Sequence, residues 1–455
     1  MRINSNSLLA GVLCALLGAC AHVHETTLDN GLKIVVKPDR RSPVVVSQIW
    51  YKVGSSDEPA GLTGISHVLE HMMFKGSERL APGEFSRVIA AHGGRENAFT
   101  SKDYTAYYQQ LEKSRLPVSF ELEAERMRHL RLTDEEFQKE VKVVMEERRL
   151  RTEDRPEGLL YEQFMVTAYQ VHSYRNPIIG WMDDLKKLRV DDLKDWYRRW
   201  YAPNNATLVV VGDVEPSAVF DLARRHFGAI PRGDITPNAL PAEPPQQVLR
   251  RTRVAAPAEV PSILLGFHAP KFETGREWEP YALEVLAGVL DGGNSARFAR
   301  ELVREQQIAS SVDTDYNSMA RHPAMFTVSA TPARGRSIAE LERALLAQIE
   351  RLRQEPVSDA ELERVKAQVV AGNVFNRDSV YYQAMQIGML ETSGLGWRLL
   401  DDYVAGIRAV SAAQVRAVAQ KYLIETNLTA AVLDPQPAAK RKSRAAAPSG
   451  GGRAH

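Results

Sequence analysis

The chain closes on the same pattern twice, and this repetition limits its fold more than any other feature. The segment WYRRWYAPNNATLVVVGD ends at Asp213, and AQKYLIETNLTAAVLD ends at Asp434, about 220 residues later. Each reads as a helix end, a turn holding an asparagine, and an apolar strand. A period this long signals a duplicated domain rather than a short solenoid repeat. Between the copies, PRGDITPNALPAEPP from Pro231 to Pro245 has the proline content of an interdomain linker. The expected layout is therefore a first domain over 25–230, a linker over 231–247 and a second domain over 248–436.

Within the first half, LKIVVK (32–37) and VVVSQIW (44–50) read as strands, whereas 85–92 and 117–130 carry helical spacing. Mixed strands and helices predict α+β domains, each a mainly antiparallel sheet packed with helices. With 44% hydrophobic and 25% charged residues, the composition is that of a globular chain. A formal net charge of +1 gives no general attraction to nucleic acid or an anionic membrane, so no nucleic-acid partner is expected.

Both ends of the chain lie outside this duplicated body. Arg2, the apolar run Leu8 to Leu17 and then Leu17-Gly18-Ala19-Cys20 form an export signal, too short to span a bilayer as a mature helix. Small residues before Cys20 resemble the box at which bacterial lipoproteins are cleaved and acylated. The alternative is ordinary cleavage near Ala19 or Ala21. A periplasmic location follows, with an outer-membrane anchor if Cys20 is lipidated. Both cysteines, Cys14 and Cys20, fall in this segment, so no disulfide framework is expected. After Pro437 the basic, apolar-poor tail (437–455) is expected to be disordered.

The chemistry concentrates in His67-Val-Leu-Glu70-His71. Thr63 is the expected N-cap of a helix reaching Phe74, with Gly76 as its stop. One helical turn separates His67 from His71, so both imidazoles can address one ion, with Glu70 beside them as a base for a metal-bound water. Such a spacing also arises by accident on a solvated helix face, and a third ligand is needed. The segment TDEEFQKEVKVVMEE (133–147), opening on a Thr133/Glu136 capping box, predicts a long helix with Glu140 and Glu147 on one stripe, two turns apart. One carboxylate could ligate and the other support, with Glu146 an alternative to Glu147.

These motifs together resemble the pitrilysin and insulinase family of inverted-motif zinc peptidases, closest in length to its processing-peptidase branch. The resemblance implies one zinc ion per chain, held by His67, His71 and Glu147, with Glu70 catalytic and Glu140 orienting the ligands. It also implies that GGRENAFT (93–100) is a substrate-binding edge strand, with Asn97, Ala98 and Phe99 in contact with peptide. A peptide can add to such an edge through its backbone. HSYRNPIIG (172–180) and the Tyr201-Ala-Pro-Asn-Asn segment extend the likeness, which covers nearly everything between the signal and the tail.

In the second half, YALEVLAGVL (281–290) stands where the zinc helix would be but holds no histidine pair, so it reads as a core helix of a non-catalytic copy. Arg304 falls in a region resembling the family's substrate-contact segment. The tyrosine expected about two turns later is absent, and Tyr316 is too far along to replace it. By resemblance the domains face each other across a chamber for peptides or unfolded segments. The chain would then pair with a copy of itself or with a related subunit lacking the zinc motif. Two rival readings are a non-catalytic assembly subunit and a metal-binding module without hydrolysis.

Overall fold

The computed structural model describes residues 22–236 and 238–437. The export signal, Cys20 and all but the first residue of the tail lie outside the described residues. Eleven strands make two sheets. The first takes β1 (His24–Thr27), β2 (Lys33–Pro38), β3 (Val44–Tyr51), β4 (Arg95–Thr100), β5 (Thr105–Glu112) and β6 (Ala206–Gly212), in the order β1-β2-β6-β3-β5-β4. The second takes β7 (Arg250–Pro257), β8 (Ser262–Ala269), β9 (Ala309–Tyr316), β10 (Ala324–Pro332) and β11 (Leu428–Gln436), in the order β7-β11-β8-β10-β9.

Without β1, the two orders are the same. In each sheet the last strand of its set enters the middle, parallel to one neighbour (β2 with β6, β7 with β11) and antiparallel to the next (β6 with β3, β11 with β8). The expected duplication is thus visible in topology. It reaches single side chains: Asn205 Nδ2 donates to the Trp200 carbonyl at 3.0 Å, and Asn427 Nδ2 donates to the Tyr422 carbonyl at 2.8 Å. In both copies an asparagine five residues past a helix end binds the carbonyl of the last helical residue and launches the central strand. That central position explains why all of Ala206–Gly212 is buried, and apolar but for Thr207, with no alternation.

The helices that serve the site are α1 (Ile65–Met72), α2 (Glu84–Ala91), α3 (Leu116–Arg128), α4 (Asp134–Arg148) and α5 (Pro156–Ala168). α2 and α3 fall on the expected stretches 85–92 and 117–130. The edge strand expected over 93–100 is one arm of a hairpin: β4 and β5 meet at a turn over 101–104, closed by Ser101 N–H donating to the Tyr104 carbonyl at 2.8 Å.

The chain forms two compact units that exchange segments across the halves 25–230 and 248–436. Described residues 22–142, 178–239 and 372–401 belong to the first, and 143–177, 240–371 and 402–437 to the second. In the first unit, the helix Val380–Ser393 lies on β3 and β6. Gly388 makes this close: a Cβ there would stand 2.0 Å from the Trp50 ring. Ion pairs Arg41–Asp378 (3.1 Å), Lys33–Glu391 (2.7 Å) and Arg398–Glu25 (2.7 Å) tie the same segment down. In the second unit α5 covers β7 and β11, with Leu160, Phe164 and Ala168 buried among Val254, Leu264, Met325 and Leu433.

The proline-rich stretch is irregular but anchored along its length. In the first unit Asn204 and Gly233 exchange two hydrogen bonds of 3.0 and 2.8 Å, and Asn238 donates to the Asp57 carbonyl at 2.7 Å. In the second, the Glu243 carboxylate accepts from the backbone N–H groups of Gln170, Val171 and His172 at 2.7, 2.9 and 3.0 Å. Burial by itself would raise this carboxyl's pKa, but the three donors outweigh it and hold the group below the usual range. Among the described residues, no helix is long and apolar enough to cross a membrane.

Placing a methyl group at position 388 should dislodge the exchanged helix from Trp50. We expect Gly388→Ala to cost about 2 kcal/mol or more, as overpacking of a close contact does. Chemical denaturation giving an unchanged midpoint and slope would contradict this packing.

Candidate active site

Helix α1 has only eight residues and does not start as expected. Gly64, with φ of 87°, is its N-cap, and Thr63 instead donates its hydroxyl to Asp184 at 2.6 Å and accepts from Trp181 N–H at 2.9 Å. The capping carboxylate is Glu58, whose two oxygens accept from Gly64 N–H at 2.7 Å and Ser66 N–H at 2.8 Å. It satisfies amides that an N-cap side chain would otherwise reach. Full burial pushes the Glu58 carboxyl up to about 8, against the pull of these donors. The cap works by proximity across a turn, which no S/T/D/N pattern next to the helix could show.

α1 buries Ile65, Val68, Leu69 and Met72 and turns its polar face to the site. His67 and His71 stand one turn apart with ring centroids 4.8 Å from each other. α4 supplies the partners: His71 Nδ1 lies 3.3 Å from Glu140 Oε2, whose other oxygen takes Lys75 Nζ at 2.7 Å. A carboxylate on Nδ1 favours the tautomer that leaves Nε2 to a metal.

α4 is one unbroken helix, opened by Thr133, whose hydroxyl accepts Glu136 N–H at 3.3 Å. Two turns beyond Glu140 it carries Glu147. His67, His71 and Glu147 each offer one ligand atom, all within 4.8 Å of one another, and no other such group occurs among the described residues. Glu146 is exposed and paired to Arg149 at 2.8 Å, so of the two acids it is Glu147 that stands with the histidines. A π-helical turn, Arg149–Glu153, follows, and from it Arg151 reaches Glu147 at 2.6 Å. Two imidazoles and one carboxylate are the donor set of a catalytic zinc site that keeps a position for water.

Glu70 is outside the cluster but on the same helix. Thr100 Oγ1 donates to its Oε2 at 2.6 Å. Thr100 ends β4, which is the edge strand of its sheet, as the 93–100 segment was expected to be. On that strand Asn97 turns its side-chain oxygen to Ala98 N–H at 2.9 Å, and Phe99 packs edge-on to Trp50 with centroids 5.4 Å apart. Arg304 stays exposed in the second unit and donates to the Asn294 carbonyl at 2.6 Å, while Tyr316 donates to the Pro270 carbonyl. Sequence reasoning did not find Glu58, Lys75, Thr100 or Arg151, which meet the site only through folding.

The second copy has lost this chemistry. In its helix Trp278–Asp291, eight residues from Pro280 to Leu290 are buried, and the acidic Glu284 is tied to Ser318 and Tyr403 with its carboxyl raised by burial. Comparison with known proteins agrees on both halves. Residues 33–181 match the family described as Insulinase (Peptidase family M16), and residues 187–369 match the Peptidase M16 inactive domain.

The chain belongs to peptidase family M16. It is 33% identical over 440 residues to the zinc protease PqqE of Helicobacter pylori, covering 94% of this chain and 98% of that one. It is 30% identical over 424 residues to the uncharacterized zinc protease Rv2782c of Mycobacterium tuberculosis, covering 90% and 92%. A crystal structure of a protease from H. pylori superposes with a TM-score of 0.86 at 32% identity, covering 91% of this M16 chain and 100% of the other. The periplasmic protease PqqL of Escherichia coli shares the fold at TM-score 0.75 and 18% identity, covering 91% of this chain and 48% of PqqL.

If these three ligands hold the metal, His71→Ala abolishes zinc retention through dialysis. Glu140→Gln weakens affinity about 10- to 100-fold, and Glu146→Gln leaves it unchanged. Metal analysis by mass spectrometry on the dialysed variants checks all three.

Proposed function

We propose that this M16 protein is a zinc-dependent endopeptidase with one metal per chain, acting on peptides or unfolded segments. The observation that supports this best is the convergence of His67, His71 and Glu147 with a carboxylate, Glu70, one residue from a ligand and oriented by its own hydrogen bond. Zinc bound there would acidify a water molecule and polarise a peptide carbonyl. Glu70 takes the proton from the attacking water and returns it to the leaving amine. Glu140 keeps the His71 ring turned toward the ligand cluster. β4 offers an edge on which peptide backbone can pair, a mode that tolerates many side chains.

A non-catalytic or metal-binding assembly subunit would have no need of Glu70 beside an intact ligand set. Arg304, exposed and without a neighbouring tyrosine, gives no complete substrate grip in the second unit. We propose accordingly that the working form is a dimer, of this chain or of this chain with a related subunit. Export and acylation at Cys20 remain our reading of the first twenty residues.

Purified chain should cleave an unstructured peptide library and lose cleavage on metal chelation. Glu70→Gln should keep zinc yet lower turnover by at least about a hundredfold, because it removes only the proton acceptor. Turnover at the wild-type rate in this variant would assign the base elsewhere. Light scattering on the same samples reports the dimer, and a fully active monomer would reject it. For the N-terminus, the mass of membrane-extracted protein should correspond to an acylated Cys20. An unmodified terminus past residue 20 would remove the anchor.

A further inference from the structure

We infer that Thr100 is a positioning residue for the base: its hydroxyl fixes the Glu70 carboxylate, and the edge strand β4 is thereby coupled to the chemistry. The inference rests on the peptidase reading above and extends it to a residue outside the zinc motif. Thr100 Oγ1 donates to Glu70 Oε2 at 2.6 Å, a short bond from a neutral hydroxyl to an acidic group. A glutamate has three side-chain torsions, and a base must sit within hydrogen-bond reach of one water. A fixed donor on a different element narrows that freedom.

The donor is itself held rigidly. Thr100 pairs with Thr105 across the hairpin turn. That turn is clamped to the segment before α1: Ser55 N–H donates to the Ser101 carbonyl at 3.1 Å, and Ser56 N–H donates to the Lys102 carbonyl at 2.8 Å. Gly54 permits the approach, since a Cβ there would lie 2.5 Å from the Ser101 oxygen. Thr105 Oγ1 adds a bond of 2.9 Å to the Val53 carbonyl. The hydroxyl is thus carried on a frame that joins the hairpin to residues 53–56, between β3 and α1.

Crystal structures of the zinc-loaded wild type, Thr100→Val, Thr100→Ala and Thr100→Ser, with steady-state cleavage by each, test the assignment. In the Val and Ala variants the Glu70 carboxylate should leave its wild-type position. Their kcat should fall about tenfold or more, with KM and zinc content unchanged. The Ser variant should restore both the carboxylate position and kcat to within about threefold of wild type. Thr100→Val added to Glu70→Gln should cost nothing further, since a group acting through Glu70 has no effect once the base is gone. Glu70 unmoved in both hydroxyl-free variants, or losses that multiply in the double variant, would overturn the role of Thr100. If wild type fails to cleave any peptide, the peptidase reading falls, while the carboxylate positions still decide whether Thr100 orients Glu70.

Discussion

The site depends on an eight-residue helix that would not form by itself. Helices this short are unstable in water, because nucleation costs more than two turns of hydrogen bonds return. α1 persists because its first turn is built by its surroundings. Glu58 takes two of its amides, and Gly64 meets Gly180 so closely that a Cβ on Gly180 would stand 2.6 Å from Gly64 Cα. Neither glycine tolerates a side chain there, and both have positive φ. The geometry of His67, Glu70 and His71 is thus set from residues 58 and 180, well outside the motif.

This accounts for what was legible in the sequence. Spacing along one helix is local, so His67, Glu70 and His71, and the Glu140–Glu147 stripe, could be read directly. The duplication was legible because each copy repeats the same local device, an asparagine binding a helix-end carbonyl before the central strand. The choice of Glu147 over Glu146 required the family likeness, since adjacent acids on a helix differ only in which neighbours they face. The misplaced N-cap at Thr63 has the same origin. Threonine does bind there, but to Asp184 and Trp181, 121 and 118 residues away. Contacts at such separations leave no periodic signal, nor does the 30-residue step from Glu70 to Thr100, while Glu58 was silent because it reaches its amides across an irregular turn rather than along a helix.

The exchanged segments follow from the same limit. Val380–Ser393 lies in the second half of the sequence and α5 in the first, yet each covers a sheet made by the other half. The proline-rich stretch carries the chain between these assignments. It makes no regular structure because its prolines lack the donors a ladder needs, so side chains such as Asn238 and Glu243 fix it instead. A stretch with the composition of a free linker is therefore held by hydrogen bonds at both ends.

The two copies also show what it takes to carry the motif of His67, Glu70 and His71 on a helix. The helix Trp278–Asp291 has 14 residues, buries apolar side chains around much of its surface and holds its one inward acid with Ser318 and Tyr403. It is stabilised by its own packing. α1 is shorter, with four buried apolar side chains, Ile65, Val68, Leu69 and Met72, and it carries Glu70 and His71 toward Thr100 of β4 and Glu140 of α4. To this short apolar contact are added polar contacts from separate elements: Glu58 at its start, Glu140 on His71 and Thr100 on Glu70. Glu58 holds the backbone of the helix, whereas Glu140 and Thr100 hold the side chains of His71 and Glu70, so under the proposed function the contacts that fix α1 also orient its working groups.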